Sequence, residues 1–579
     1  MDYKTVYEEW LYHPNLDEKA KKELQDMSEQ DIKDAFYTNI TFGTAGMRGL
    51  MGIGPNRLNI YTIRKATQGY ANYLNKNNLK SVAIAYDNRF NSKEFAFDCA
   101  KLLASNGIKT FIFDSLRPTP ELSYTVRYFK CDGGIMITAS HNPKQYNGYK
   151  LYDETGCQLI PEIAAKVIDE VNTLDNILDI KPNDNYDDSL INIVNEEVDD
   201  AYYRDVLSIQ LRKDINKDFK IAFSPEHGTA YLPVMTTLKQ AGYDVYEVKS
   251  QSIPDPAFSN TKTPNPEEAG AYEEVIKLAK DIDAKLLLVC DPDGDRMGVG
   301  VKHNDEYVVL NGNQTGALLL EYILSTYEDL GIKVNNPCMF NTIVTSDIGE
   351  AIARYHGCDN ERTLTGFKYI GNKVRQYEVN NKKTYVFGYE ESYGSLIKPF
   401  VRDKDATQAC LLLAEACAYY LSKNMTLVDV MNNAYDKVGY YYDTQVSVML
   451  PGADGAEKLA KIMENVRNNP LQIPGYKTVR IEDYKLQKSY EDDKVEDFVK
   501  HDVSDVLKYY LEDGSFIAIR PSGTEPKCKC YLSVKDVSMD KAKEKCDGFI
   551  AYVKTLLQWL MILKIKLWRK VCLSLKMRG

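Results

Sequence analysis

Along most of this chain, short solid apolar runs alternate with stretches whose apolar residues recur at helical spacing. The runs Ser81–Tyr86, Lys109–Phe113 and Gly134–Thr138 predict strands. Residues 61–76, 93–106 and a segment from Pro118 to about Phe129 predict helices between them. Upstream, Asp17 to Phe36 reads as helices with Leu24, Met27 and Ile32 facing inward. Downstream, 183–187 is a polar loop and 195–211 a long helical segment leading out of this first unit. A second unit follows the same alternation: Phe219–Phe223, a helix at about 230–240, Tyr243–Val248, a helix near 267–280, and the run Leu286–Cys290. Its polar span 251–266, with four prolines, predicts an ordered crossover loop. A third unit comprises a helix from Gly312 to about 326, a strand near Cys338–Phe340, a helix at 346–356, a turn at Thr365–Lys368, the strand Thr384–Phe387, and helices at 404–421 and 427–437. Repeated strand–helix units of similar size predict layered α/β domains related to one another.

The pattern then changes character. Tyr440–Leu450 alternates as a strand, 453–466 reads as a helix, 477–486 as a strand region, and Phe516–Arg520 and Lys529–Val534 as strands around a turn. A helix from Lys541 to about Gln558 closes a smaller α+β domain. The expected boundaries are 1–211, 212–312, 313–439 and 440–560, with a basic apolar tail at 561–579 that suits a short extension or an amphipathic surface helix.

Bulk numbers narrow this only a little. A chain of 579 residues is too long for a single core and suits about three to five domains. The net charge of −11 argues against general nucleic-acid binding. Twelve cysteines without a CxxC pair, mostly in apolar settings, suit free thiols in a reducing compartment. The acidic, polar N-terminus does not read as a signal peptide, and no apolar stretch is long enough for an ordinary transmembrane helix, so the expected location is cytoplasmic.

The chemistry concentrates in loops after the predicted strands. Asp291-Pro-Asp-Gly-Asp-Arg296 sets three carboxylates at alternate positions directly behind the run Leu286–Cys290, where open α/β sheets put their sites. Crowded carboxylates need a canceling charge, and an all-oxygen donor set suits a hard ion such as Mg2+; a solvated acidic loop is the plain alternative. Arg296 beside the cluster suggests that a polyanion is also handled there. Thr138-Ala-Ser-His-Asn-Pro143 follows a predicted strand, and Ser140 reads as a nucleophile, a phosphoryl acceptor or a helix cap. His141 is either a base or a hydrogen-bonding residue, and Lys150 is a candidate general acid/base. Arg48 stands in the glycine-rich loop Thr41–Gly49, which is neither a P-loop nor a GxGxxG motif. Glu390 and Ser392 in the loop Gly388–Gly394 suit a polyhydroxylated ligand, unless that loop is a solvated turn. Arg520 with Ser522, Gly523 and Thr524 makes a compact anion cradle. Together these parts describe phosphoryl transfer.

In these blocks the chain resembles the α-D-phosphohexomutase superfamily of phosphoglucomutases and phosphomannomutases, most of all its longer branch, which includes phosphopentomutase-like enzymes. Four motifs stand in family order across roughly residues 38–560: Thr138–Pro143, Asp291–Arg296, Glu390–Ser392 and Arg520–Pro526. The resemblance implies three related mixed-sheet α/β domains plus a C-terminal α+β domain of the TATA-binding-protein-like class around a central cleft. It implies that Ser140 is carried as phosphoserine, and that Asp291, Asp293 and Asp295, with Ser140's phosphate, bind Mg2+. Arg48, Lys150 and Arg296 would surround the transferred group. Lys368, Glu390 and Ser392 would read the sugar, and Arg520, Ser522, Gly523 and Thr524 would hold the second phosphate. The implied reaction interconverts glucose 1-phosphate and glucose 6-phosphate through glucose 1,6-bisphosphate. Phosphomannomutase and phosphopentomutase are the nearest alternatives, with a metal-dependent sugar phosphatase and a non-catalytic sugar-phosphate binder more remote. Small-molecule sugar phosphates are the expected partners of a monomer or homodimer. Two departures, Tyr389 in place of a glycine and no histidine after the Glu390 loop, bear on the sugar rather than on the phosphoryl chemistry.

Overall fold

The computed structural model describes residues 2–43, 46–194, 196–450, 455–492, 494–497, 502–521 and 527–556. These fall into two compact units: one of Met1–Asn341, Cys358–Glu361 and Gly366–Val430, the other of Thr342–Gly357, Arg362–Thr365 and the described part of Met431–Gly579.

The first unit carries the alternating elements. Its N-terminal sheet has six strands in the order Met47–Leu50, Tyr146–Asp153, Gly133–Ile137, Ser81–Tyr86, Lys109–Phe113, Ile191–Val194. The middle strands run parallel, and Tyr146–Asp153 runs antiparallel to Gly133–Ile137. Helix Ile60–Lys76 starts from a capping box in which Asn59 accepts from the backbone of Thr62 and the Thr62 hydroxyl accepts from that of Asn59. Ahead of this sheet, helices Tyr3–Leu11, Glu18–Gln25 and Glu29–Phe36 bury Trp10, Leu24 and Phe36 against Tyr61, with Met27 and Ile32 packed at the edge. The first of these helices was not expected.

The second sheet orders Glu306–Leu310, Met297–His303, Leu286–Cys290, Lys220–Ser224 and Asp244–Glu247. Leu286–Cys290 is buried along its whole length, as its solid apolar run predicts. It pairs parallel with Lys220–Ser224 but antiparallel with Met297–His303, a strand the glycine-broken pattern Met-Gly-Val-Gly-Val hid. A Cβ at Gly298 would stand 2.1 Å from the Tyr272 hydroxyl, so packing explains a residue that local propensity disfavors. The helix expected near 267–280 is a short 3-10 turn, Ala269–Tyr272, followed by helix Glu273–Ile282. In the third α/β segment Pro337–Thr342 runs parallel to Thr384–Tyr389, and helix Ala406–Leu421 is buried nearly all round.

The second unit holds a seven-stranded antiparallel sheet, in the order Tyr440–Met449, Lys527–Asp536, Phe516–Pro521, Leu507–Leu511, Thr478–Asp483, Lys488–Glu491, Lys494–Asp497. Its apolar face packs on helix Gly455–Asn468 and a helical stretch at 539–556 through Met463, Ile517, Cys530 and Phe549. This is the α+β domain that the late change of pattern predicts. The tail 561–579 lies outside the described residues. No described helix is long and apolar enough to cross a membrane.

Candidate active site

Asp291 to Arg296 turns off the end of the buried strand Leu286–Cys290. Gly294 takes φ 66°, a left-handed conformation that suits glycine, and its N–H donates to Asp291 O at 3.0 Å. One oxygen of Asp291 accepts from the N–H groups of Asp295 and Arg296, at 3.1 and 3.0 Å. The turn therefore sends all three carboxylates inward: Asp291 and Asp293 are fully buried, Asp295 is 2% exposed, and one ligand atom from each lies within 4.8 Å of the others. A solvated acidic loop is excluded.

Cations crowd this cluster. Lys150 Nζ donates to Asp293 Oδ2 at 2.7 Å and lies 3.8 Å from Asp295 Oδ2. Lys404 Nζ is 3.0 Å from Asp295 Oδ2 and 3.1 Å from Asp403, and the Thr119 hydroxyl also donates to Asp293, at 3.1 Å. Burial, then the charges of Asp293 and Asp295, push the Asp291 carboxyl well above its usual range. Burial acts upward on Asp293 too, but Lys150, a hydrogen bond with Asp291 and Lys404 together hold it below. Oδ1 of Asp293 and Oδ1 of Asp295 are buried and accept no hydrogen bond. Unsatisfied hard oxygens in a buried cluster of three carboxylates fit a divalent cation such as Mg2+.

The serine loop meets this cluster from the neighboring sheet. Ser140 Oγ donates to Asp291 Oδ2 at 3.0 Å and lies 3.2 Å from His141 Nδ1. Ser140 itself has φ 52°, a left-handed conformation that costs a β-carbon residue roughly 1 kcal/mol. Its N–H donates to Thr138 Oγ1 at 2.8 Å. No helix follows; the next element is strand Tyr146–Asp153, so the helix-cap reading falls away. Lys150 rides on that strand, not on a loop. Arg48 likewise stands on a short strand, Met47–Leu50, where its Nη1 donates to Asn142 Oδ1 at 2.8 Å.

The loop Gly388–Gly394 is spliced to the aspartate loop by main chain. Arg296 and Gly394 form an antiparallel bridge, and Met297 N donates to Tyr393 O at 3.1 Å. Glu390 is buried and accepts from Gly366 N at 2.8 Å, while Ser392 is half-buried. Lys368, expected in a turn, occupies the first turn of helix Phe367–Asn380 and is buried. Tyr389 points into the core: a Cβ on Gly316 would fall 2.1 Å from its ring, so this residue fills space behind the loop. Arg296 itself pairs with Glu267 at 2.7 Å. In the second unit, Arg520 lies on strand Phe516–Pro521 and donates to the Tyr531 hydroxyl at 3.4 Å. Ser522, Gly523 and Thr524 lie outside the described residues.

Sequence reasoning missed Lys404 and Thr119. Lys404 had one faint signal, the alternating charges of Arg402-Asp403-Lys404-Asp405 ahead of an apolar helix, and Asp405 caps that helix by accepting from Gln408 N at 3.1 Å.

Four family models, described as alpha/beta/alpha domains I, II and III and the C-terminal domain of phosphoglucomutase/phosphomannomutase, match residues 39–177, 200–304, 311–438 and 453–544. The chain belongs to the phosphoglucomutase/phosphomannomutase family. It is 37% identical over 544 residues to a phosphoglucomutase of Staphylococcus epidermidis, covering 92% of this chain and 98% of that one. It is also 37% identical over 549 residues to a phosphoglucomutase of Staphylococcus aureus, covering 93% and 98%. In fold it is similar to the open form of parafusin, a phosphoglucomutase of Paramecium, with a TM-score of 0.66 and 19% identity over 90% of this chain and 96% of that one. As a family member the chain is an enzyme of phosphotransfer type, its reaction is a phosphohexomutase one, and its buried aspartate cluster suits metal-dependent chemistry.

Burial pushes the Glu390 carboxyl up to about 6, against the charge of Lys404 and with that of Glu391. The neutral form is thereby favored in the folded chain. Glu390's contribution to stability is complete below the ordinary value of 4.5 and is lost as pH rises to about 6. If Glu390 reads the sugar, as the resemblance implies, binding runs the other way, because only the carboxylate is a full acceptor for hydroxyl groups. KM for the sugar phosphate is expected to rise as pH falls from 7 to 5, and Glu390→Gln to flatten that rise to what the substrate's own phosphate contributes. Parallel KM–pH profiles of the two enzymes check this; identical profiles remove Glu390 from sugar reading.

Proposed function

We propose that this enzyme interconverts α-D-glucose 1-phosphate and glucose 6-phosphate, with Ser140 carrying the phosphoryl group and glucose 1,6-bisphosphate as the intermediate. The observation that carries the reading is Ser140 Oγ, held 3.0 Å from Asp291 inside a buried three-aspartate cluster. A hydroxyl in a strained turn beside three carboxylates is a poor packing choice and a good phosphoryl carrier.

Asp291, Asp293 and Asp295 would hold Mg2+ together with an oxygen of the serine phosphate. When bound, that ion supplies the positive charge that neutralizes the transferring group. Phospho-Ser140 gives its phosphoryl to the free hydroxyl of the bound monophosphate: the P–Oγ bond breaks, Lys150 in its neutral amine form accepts the hydroxyl proton, and His141, 3.2 Å from Oγ, supplies a proton to the serine oxygen. The bisphosphate then presents its other end, Lys150 returns its proton to the departing sugar oxygen, and Ser140 passes its own back to His141 as it recovers a phosphoryl group. Arg48 and Arg296 stabilize charge on the group in flight. Lys368, Glu390 and Ser392 read sugar hydroxyls, while Arg520, Ser522, Gly523 and Thr524 hold the non-reacting phosphate. In this reading domain 1–211 carries the phosphoserine, 212–312 the metal, 313–439 the sugar site and 440–560 the second phosphate site.

Glucose is favored by the names of the Staphylococcus relatives. Initial rates on glucose, mannose, ribose and deoxyribose 1-phosphates, each with its bisphosphate, test it. Glucose 1-phosphate is expected to turn over fastest and to need catalytic bisphosphate. A faster mannose or pentose substrate moves the assignment within the family, and release of inorganic phosphate without a bisphosphate requirement makes the enzyme a phosphatase.

A further inference from the structure

The backbone of the serine loop is pinned from below by one side chain. Arg89 follows strand Ser81–Tyr86, and its side chain is 0% exposed. Nη1 donates to the carbonyls of Pro143 and Tyr146, both at 2.9 Å. Nη2 donates to the carbonyl of Ser140 at 2.6 Å and to that of Asn142. One guanidinium thus takes four carbonyls of a single seven-residue loop. Asp87 faces its Nε at 3.2 Å as counter-ion, and Asp87 is itself held by the Ser92 hydroxyl at 2.7 Å. The ring of Phe258 covers the guanidinium, its centroid 5.2 Å away. Phe258 comes from the crossover loop of the second sheet, and Asn88 ties the same loop by donating to Asp255 O at 3.0 Å.

We infer that Arg89 is a positioning residue for phosphoryl transfer: by fixing the Ser140 carbonyl it keeps Ser140 in its left-handed conformation and so aims Oγ at the aspartate cluster, without touching the substrate. The left-handed turn is not one that serine adopts freely, and the loop has no helix to hold it. A planar fork of fixed donors can satisfy several converging carbonyls at once. An ammonium, with a point charge on a flexible stem, cannot reproduce that geometry. A small misplacement of a reacting atom is enough to cost about 100-fold in rate.

The inference rests on Ser140 as the phosphoryl carrier, and the experiment separates the two. Full-length wild type, Arg89→Lys and Arg89→Met are compared for incorporation of phosphoryl label from glucose 1,6-bisphosphate, for kcat and KM, for Mn2+ affinity, and for amide hydrogen exchange across residues 140–147. Both variants are expected to lose about 100-fold in labeling rate and kcat, with KM and Mn2+ affinity within about threefold of wild type and faster exchange in the loop. Wild-type labeling rates in folded variants overturn the inference. So does a loss that appears only in KM, which would put Arg89 on the substrate, or a lowered melting temperature with kcat intact well below it, which would make its role purely structural. If the wild type takes no label, the phosphoserine reading fails instead. Should neither Arg89 variant fold, Phe258→Leu carries the test: it bares one face of the guanidinium while leaving all four donors, and is expected to quicken loop exchange and lower kcat severalfold. No change in either rejects the role.

Discussion

Ser140→Ala is expected to lower turnover by about 10^4-fold or more, with KM for glucose 1-phosphate and the affinity for glucose 1,6-bisphosphate nearly unchanged. Removing a covalent nucleophile takes away the step itself, and what remains reflects binding and electrostatics alone. The substitution deletes one hydroxyl whose partners are Asp291 and His141, so the fold has little to lose and the melting temperature should stay close to that of wild type. Steady-state rates combined with label transfer from bisphosphate check it. A variant that keeps wild-type turnover would place the phosphoryl group elsewhere.

Asp293→Ala is expected to weaken Mg2+ or Mn2+ binding and to cut kcat by roughly 10^3-fold, the scale of several kcal/mol lost in transition-state charge stabilization. Two side chains from other elements donate to Asp293: Lys150 at 2.7 Å and the Thr119 hydroxyl at 3.1 Å. Removal of Asp293 leaves the buried Lys150 ammonium with Asp295 at 3.8 Å in place of a partner at 2.7 Å, a second cost that added metal does not repair. Calorimetric metal titration alongside kcat distinguishes the two losses. Unchanged metal affinity would take Asp293 out of the ligand set.

The two reactive loops were legible because each is a local motif placed directly after a solid apolar run. Both the aspartate triplet and Thr138–Pro143 therefore fell at strand ends without any tertiary information. Strand Tyr146–Asp153 was not legible for the opposite reason. Its Asn147, Lys150 and Asp153 look like surface residues, yet they are buried with their polar groups satisfied, the first two by groups far along the chain and Asp153 by the turn that follows it. Asn147 bonds Phe90 O and Ser92, Lys150 pairs with Asp293, and Asp153 accepts from Thr155 and Cys157. Gly148, which reads as a loop residue, sits where a Cβ would meet Thr138 O at 2.4 Å. Arg89 and Lys404 stayed hidden on the same ground: neither stands in a reactive motif, and only folding brings them to Ser140 and Asp295. Helix Phe367–Asn380 was missed because Thr365–Lys368 has turn composition, and only Gly366, at φ 119°, takes the unusual backbone.

The splice between Arg296 and Gly394 is written in backbone atoms alone. A half-buried side chain such as that of Ser392 can therefore change without loosening the joint that registers this loop against the aspartates, whereas Tyr389 and Gly394 are held by their packing on Gly316 and Lys404. On the reading that this loop meets the sugar, carbohydrate preference can shift on this scaffold while the aspartate turn keeps its place.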